Sequence, residues 1–222
     1  EGALTDEILQ QKPKSLTIIE KDFKLVEKLR EKYSKNKLIK IFNADILKFD
    51  IEKISNKNCA IFGNLPYNIS SQILVKIIKF KKWPPQFTDL ILMFQKELGE
   101  KIIGKFPSSE YGRLSLLSNY RLNILNKFFV SSNCFFPKPK ITSIVIHFQP
   151  KKKSQFNIKN IDNLEKITNI LFSNRRKMIN KNIKKILNLD KIKKLSDLKF
   201  NQRPSEIKPE IYYKITELYE NK

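Results

Sequence analysis

Cys59-Ala60-Ile61-Phe62-Gly63-Asn64-Leu65-Pro66-Tyr67 opens as an apolar run and ends as a turn. Four such residues, closed at once by Gly, Asn and Pro, have the length and boundary of a buried strand. Ser70 and Ser71 stand where a helix cap is expected, ahead of Ile73, Leu74, Ile77 and Ile78 at helical spacing. The alternation extends both ways. Upstream, residues 16–19 read as a buried strand, 23–35 as a helix through Leu25, Val26 and Leu29, and 38–42 as a second strand closed by Asn43-Ala44-Asp45. Downstream, strands are predicted over 90–94, 122–130 and 143–148. Strands separated by helix-length segments predict an α/β domain built round a largely parallel sheet.

The texture changes after Pro150. Lys151-Lys152-Lys153-Ser154 is a charged link, and the apolar residues beyond it (Leu164, Ile167, Ile170, Leu171, then Ile183, Ile186, Leu187) have the spacing of short amphipathic helices. Two domains are expected, 1–150 and a small all-α domain over 151–222. Residues 151–222 hold 19 basic and 8 acidic residues, so they carry half of the excess charge on a third of the length.

Across all 222 residues, 44 basic side chains face 22 acidic ones, a formal net charge of +22. That balance suits a polyanionic partner, nucleic acid before an anionic membrane surface. Lysines outnumber arginines 38 to 6, so a Lys-rich background also contributes to the charge. Cys59 and Cys134 lie in or beside apolar runs and are expected as buried free thiols in a reducing, cytoplasmic compartment. Two Cys and His147 cannot close a zinc site unaided, and His147 is expected as a satisfied sheet residue. No run is long enough for a membrane helix, and Trp83-Pro84-Pro85 reads as a loop.

Ligands of open α/β sheets collect beyond the carboxyl ends of the strands. Three polar side chains sit there: Glu20 after the strand at 16–19, Asp45 after 38–42 and Asn64 after 59–62. A carboxylate at Glu20 can hold ribose hydroxyls, and one at Asp45 can accept from an adenine amino group. The side-chain carbonyl of Asn64 and the main-chain carbonyl of Leu65 can together accept both N–H bonds of an exocyclic amine. Such an amine is a poor nucleophile while its lone pair is delocalised into the ring, and the clamp favours its pyramidal form. Pro66 stiffens the turn, and Tyr67 offers an aromatic face to an unstacked base. An ordinary Asn-Pro loop beside a core tyrosine accounts for the tetrapeptide equally well.

Asn64-Leu65-Pro66-Tyr67-Asn68-Ile69-Ser70 resembles the signature of the ribosomal RNA adenine dimethyltransferases, which use S-adenosylmethionine. Gly2-Ala3-Leu4-Thr5 resembles the end of that family's glycine-rich cofactor loop, and Glu20 and Asp45 match its ribose and adenine contacts. Tyr111-Gly112-Arg113-Leu114-Ser115 matches a further block. Phe135-Phe136-Pro137-Lys138-Pro139-Lys140-Ile141-Thr142-Ser143 is similar to Phe-x-Pro-x-Pro-Lys-Val-x-Ser, with Ile141 in place of Val. Phe172-Ser173-Asn174-Arg175-Arg176-Lys177 and Arg203-Pro204-Ser205-Glu206 resemble the opening and closing blocks of the helical second domain.

The resemblance implies a Rossmann-like methyltransferase sheet with a C-terminal all-α domain. It also implies double methylation of two adjacent adenines in a hairpin near the 3′ end of small-subunit rRNA. Asn64, Leu65, Pro66, Tyr67 and Phe135 would be catalytic, with Tyr67 and Phe135 sandwiching the base. Gly2, Glu20, Asp45 and Asn64 would bind S-adenosylmethionine. Arg113, Lys138, Lys140, Arg175, Arg176 and Lys177 would contact RNA. The small ribosomal subunit is the expected partner of a monomer that needs neither metal nor membrane. The chain opens inside the family's glycine-rich loop, so the family's first, central strand is expected to be missing, leaving a gap between its neighbours. Two alternatives stay open: a large-subunit rRNA methyltransferase of the macrolide-resistance type, and a non-catalytic assembly factor. Leu65, where the former group more often has Ile, and the Arg175 and Arg203 blocks favour the small-subunit reading.

Overall fold

The computed structural model describes residues 2–55, 57–135 and 141–221. Lys138 and Lys140 lie outside the described residues. The chain folds as two compact units, Glu1–Ile54 and Ser55–Lys222.

The first unit runs α1 (Ala3–Gln10), β1 (Leu16–Glu20), α2 (Phe23–Lys32), β2 (Ile39–Asn43) and α3 (Ile51–Ile54). Asp22 caps α2 by accepting from the Lys24 and Leu25 amides, and the helix buries Val26 and Leu29. β1 and β2 pair in parallel, with Glu20 opposite Asn43. α1 buries no residue fully. Polar contacts to α2 hold it instead, Lys32 to Asp6 and the Tyr33 hydroxyl to Asp6 Oδ1.

The second unit opens with β3 (Cys59–Asn64), α4 (Ser70–Ile78), β4 (Phe87–Gln95), α5 (Lys96–Ile103) and α6 (Arg113–Arg121). It continues with β5 (Leu122–Val130), β6 (Ser143–Pro150), α7 (Ile161–Phe172), α8 (Asn180–Ile183), α9 (Leu189–Lys193) and α10 (Pro209–Glu220). Its sheet has the order β3-β4-β6-β5. β3 and β4 are parallel, while β6 is antiparallel to both β4 and β5. The expected largely parallel sheet is thus corrected to a mixed one. Among the described residues of the connection from β5 to β6, none forms an α-helix that could carry a parallel crossover. The core sits on the two middle strands, where Leu90, Leu92, Phe94, Ile144, Ile146 and Phe148 are buried. Ile73, Leu74, Ile77 and Ile78 of α4 are buried as their helical spacing predicts.

Strands stop at Pro150, and all later elements are helical. This change of texture falls inside the second compact unit, not at its boundary. Three hydroxyls tie α6 and its flank to the helical part: Tyr111 donates to Ile207 O, Tyr213 to Leu116 O and Tyr120 to Phe156 O. Arg121 is buried, donates to the carbonyls of Ile78 and Phe80, and stacks its guanidinium 4.5 Å from the Trp83 ring centre. Trp83 therefore supports the core edge. His147 is hydrogen-bonded to Asp89 at 2.7 Å, as a sheet histidine should be. Cys134 is exposed and Cys59 half-buried, against the expectation that both are buried. Cys134 ends a 3-10 turn, Ser132–Cys134, on the connection after β5, where apolar neighbours in sequence do not become neighbours in the core.

Candidate active site

Parallel pairing puts Glu20 and Asp45 at the same, carboxyl, end of the β1–β2 sheet. Glu20 accepts from the Asp22 amide through Oε1 at 2.8 Å, and its carbonyl accepts from the Ala44 amide. Asp45 accepts from the Leu47 amide at Oδ1 and from the Lys21 ammonium at Oδ2, both at 2.9 Å. Lys21, and after it the Leu47 amide, holds the Asp45 carboxyl below its ordinary range. The Lys21 side chain is 74% exposed, so this ion pair is readily exchanged for another donor. Gly2 precedes α1 in the left-handed region, at φ +78°. A Cβ added there would lie 2.7 Å from the Tyr33 hydroxyl, so glycine is required both by backbone and by space.

In the second unit, Asn64 is the last residue of β3, opposite Met93 of β4, with its side chain exposed. Gly63 owes its size to Leu65: a Cβ at 63 would stand 2.7 Å from Leu65 Cδ2 and 2.8 Å from Leu92 Cδ2. The leucine side chain thus folds back over the strand it has just left, which fixes the peptide that follows Asn64. The Ile69 amide then donates to Pro66 O and closes the turn. Ser70 or Ser71 is expected to cap α4. Ile69 holds the N-cap position instead, and the Ser70 hydroxyl donates to Tyr67 O at 3.0 Å. Tyr67 is half-buried, and its hydroxyl shares a 2.7 Å hydrogen bond with Ser143 Oγ.

Ser143 begins β6 and pairs with Gln95 on one side and Val130 on the other. Phe135, half-buried, lies in the connection from Val130 to Ser143. Both aromatic candidates therefore belong to the end of the sheet where β3 and β4 finish. A cavity of about 410 Å³, lined by Tyr120, Lys151 and Tyr213 among others, lies at the other end of the β5–β6 ladder, where Leu122 meets Pro150. Its lining holds none of the candidate residues Asn64, Leu65, Tyr67 or Phe135.

Of the basic candidates, Arg113 opens α6 and is exposed, as are Arg176 and Lys177. Arg175 is engaged already, its Nη2 donating to Ser109 O at 2.5 Å and Tyr111 O at 3.0 Å. Among the described residues, no group of three His, Cys, Asp or Glu could hold a metal ion, and no helix is long and apolar enough to cross a membrane.

The family model for ribosomal RNA adenine dimethylase matches residues 1–221. The chain belongs to that family. It is 42% identical over 223 residues to the ribosomal RNA small subunit methyltransferase A of Pelagibacter ubique, covering 99% of this chain and 83% of the relative. The protein of the same name from Malacoplasma penetrans is 38% identical, with 96% of this chain and 76% of the relative covered. Two solved structures share the fold. The dimethyladenosine transferase of Plasmodium falciparum superposes with a TM-score of 0.74 at 22% identity, over 91% of this chain and 80% of that one. The 23S rRNA methyltransferase ErmE gives 0.70 at 21% identity, over 100% and 88%. The dimethylase fold is thus a Rossmann-like methyltransferase sheet with added helices.

Two long-range hydroxyl contacts of this dimethylase are not legible in its sequence. Ser143 closes a quoted block and Tyr111 opens another, but their partners are 76 and 96 residues away. Ser70 or Ser71 is the cap that the sequence predicts, whereas the Ser70 hydroxyl donates to Tyr67 O.

Proposed function

We propose that this dimethylase transfers methyl groups from S-adenosylmethionine to the N6 of adjacent adenines in small-subunit rRNA, forming N6,N6-dimethyladenine. The observation that carries the reading is the turn 64–67, which leaves an exposed Asn64 at the carboxyl end of β3 and a tethered Tyr67 three residues on. S-adenosylmethionine supplies, when bound, a methyl group already activated on a sulfonium.

The donor chemistry fits the first unit. Glu20 and Asp45 are acceptor-only carboxylates at the ends of neighbouring parallel strands, matched to a ribose diol and an adenine amine. The Asp45 oxygen now facing Lys21 becomes available when that exposed ammonium swings away. In the second unit, the Asn64 side-chain carbonyl and the Leu65 carbonyl accept hydrogen bonds from the N6–H groups and bring the nitrogen lone pair out of conjugation. Tyr67 and Phe135 flank the base. The product amine releases its proton to water, so a dedicated general base is not required. Orientation of an activated donor and a clamped acceptor supplies most of the acceleration.

Residues 151–222 serve as the helical RNA-binding part, with Arg175, Arg176 and Lys177 contacting phosphates, and Arg113, Lys138 and Lys140 are the RNA-contacting candidates from the rest of the chain. The enzyme acts in the cytoplasm as a monomer on the small ribosomal subunit. The test is methyl transfer from labelled S-adenosylmethionine to unmethylated small subunits, using the full-length protein. Label recovered as N6-dimethyladenosine in the small-subunit RNA is the expected result. Label in naked large-subunit RNA instead, or tight RNA binding with no transfer, overturns it.

A further inference from the structure

Tyr67 is held at both ends by serines that are themselves fully buried. Its hydroxyl meets Ser143 Oγ at 2.7 Å, and its carbonyl accepts from Ser70 Oγ at 3.0 Å. Both serines are 0% exposed. Both anchors are built into the packed core of the unit. Ser143 lies in the middle strand β6 with ladder partners on both sides, and the Lys96 amide fastens the preceding Thr142 carbonyl. Ser70 is the first residue of α4, whose apolar face is packed in the core.

A buried hydroxyl needs a partner, and an alanine at 143 would spare the fold that need. Tyr67 is only half-buried, and a phenylalanine there would likewise leave no phenol to satisfy. The pairing therefore contributes little that the fold requires. It does fix where the ring stands: the phenolic oxygen lies on the Cβ–Cγ axis, so tethering it to a rigid strand holds the χ1 rotamer and the direction of that axis. A free Tyr side chain on a surface turn samples several χ1 rotamers, and most carry the ring away from the place where a base could stack.

We infer that Ser143 is a positioning residue of the methyl transfer, setting the Tyr67 ring as a preformed platform for the target adenine, with Ser70 fixing its main chain. This inference rests on the function proposed above. A platform already in place costs the incoming base no ordering of the ring, and the amine arrives at the Asn64–Leu65 clamp in register. The effect belongs to the bound complex on its way to the transition state, so it acts on kcat more than on KM.

The experiment compares Ser143→Ala, Tyr67→Phe and the double variant in full-length protein, with kcat, KM for subunits, melting temperature and the fluorescence of 2-aminopurine at the target position. Each single variant removes the same hydrogen bond from a different side. Each is expected to lower kcat about tenfold, with KM within about twofold of wild type and the aminopurine less quenched. The double variant is expected to be no slower than the slower single one, because the shared bond is already gone. Ser143→Ala with wild-type kcat overturns the inference, as does a double variant whose losses multiply to about a hundredfold. So does a fall in melting temperature with unchanged quenching, which would make Ser143 a packing residue. If the Ser143 variant fails to fold, Tyr67→Phe alone carries the test, since it leaves the buried serine in place. Failure of wild-type protein to methylate any subunit would remove the underlying function; an active wild type with an indifferent Ser143 removes only this inference.

Discussion

The Tyr111 hydroxyl donates to the main-chain carbonyl of Ile207 at 2.9 Å, from a side chain only 1% exposed. That bond spans 96 residues and joins the flank of α6 to the start of the last helix. Around it, Phe106 and Phe172 make edge-on contacts with the Tyr111 ring, and Phe172 stacks on Tyr212. The helical segment after Pro150 is therefore welded into the second unit by aromatic packing with satisfied polar ends.

Tyr111→Phe should cost roughly 1–3 kcal/mol, because it leaves the Ile207 carbonyl buried without its donor. Chemical denaturation measures it, and the unit should still unfold in one transition. An unchanged midpoint would show that water replaces the phenol.

The same burial makes a pH prediction. Burial pushes the Tyr111, Tyr212 and Tyr213 phenols above their ordinary value of 10.0. A folded-state pKa above the unfolded one means that the folded chain keeps protons which the unfolded chain releases. Stability is then fully present below about pH 10 and declines above it. Denaturation at about pH 8 and about pH 11 should show the loss, and Tyr111→Phe should reduce it. Equal midpoints at both pH values would show that these phenols ionise in the folded state.

Gly63→Ala addresses the turn without touching its polar atoms. The new Cβ would press on Leu65 Cδ2 and Leu92 Cδ2, both under 3.0 Å away. Leu65 is the more easily displaced, since Leu92 is locked in the core. Its carbonyl should shift with it, and methyl transfer should fall at least about tenfold, because displacements near 1 Å can cost a hundredfold. Asn64→Ala should abolish transfer and leave salt-sensitive RNA binding intact. A Gly63→Ala protein with normal kcat would show that the Leu65 carbonyl is not part of the clamp.

The strands were legible because their cores are short apolar runs closed by Gly, Asn or Pro, as at Cys59–Asn64. Their ends were not: β4 extends from Phe87 to Gln95, beyond the run 90–94, because ladder pairing continues past the apolar residues. α1 escaped notice because it buries no residue fully, and its anchors, Lys32 and Tyr33, lie far along the chain. The candidate residues themselves were legible as types at strand ends. Their tethers were not, because a serine at 143 carries no mark of a tyrosine at 67. Ser70 shows the conflict most clearly. Its sequence position suits a helix cap, but Tyr67 offers the hydroxyl a closer task.

Arg175 and Arg176 are neighbours with different work, and their variants should separate. The Arg175 guanidinium bridges the carbonyls of Ser109 and Tyr111, so it braces the loop before α6. Arg176 is exposed, next to an exposed Lys177. Arg175→Ala should therefore lower the melting temperature of the second unit by a few degrees, through loss of hydrogen bonds from a charged donor. Arg176→Glu should leave melting unchanged and weaken RNA binding. It should also reduce the slope of log affinity against log salt by about one contact. Thermal melts and binding titrations at several salt concentrations distinguish the two. An unchanged salt slope for Arg176→Glu would remove that residue from the phosphate-binding set. An Arg175→Ala protein with normal melting but a reduced slope would show that Arg175 serves the phosphates alone.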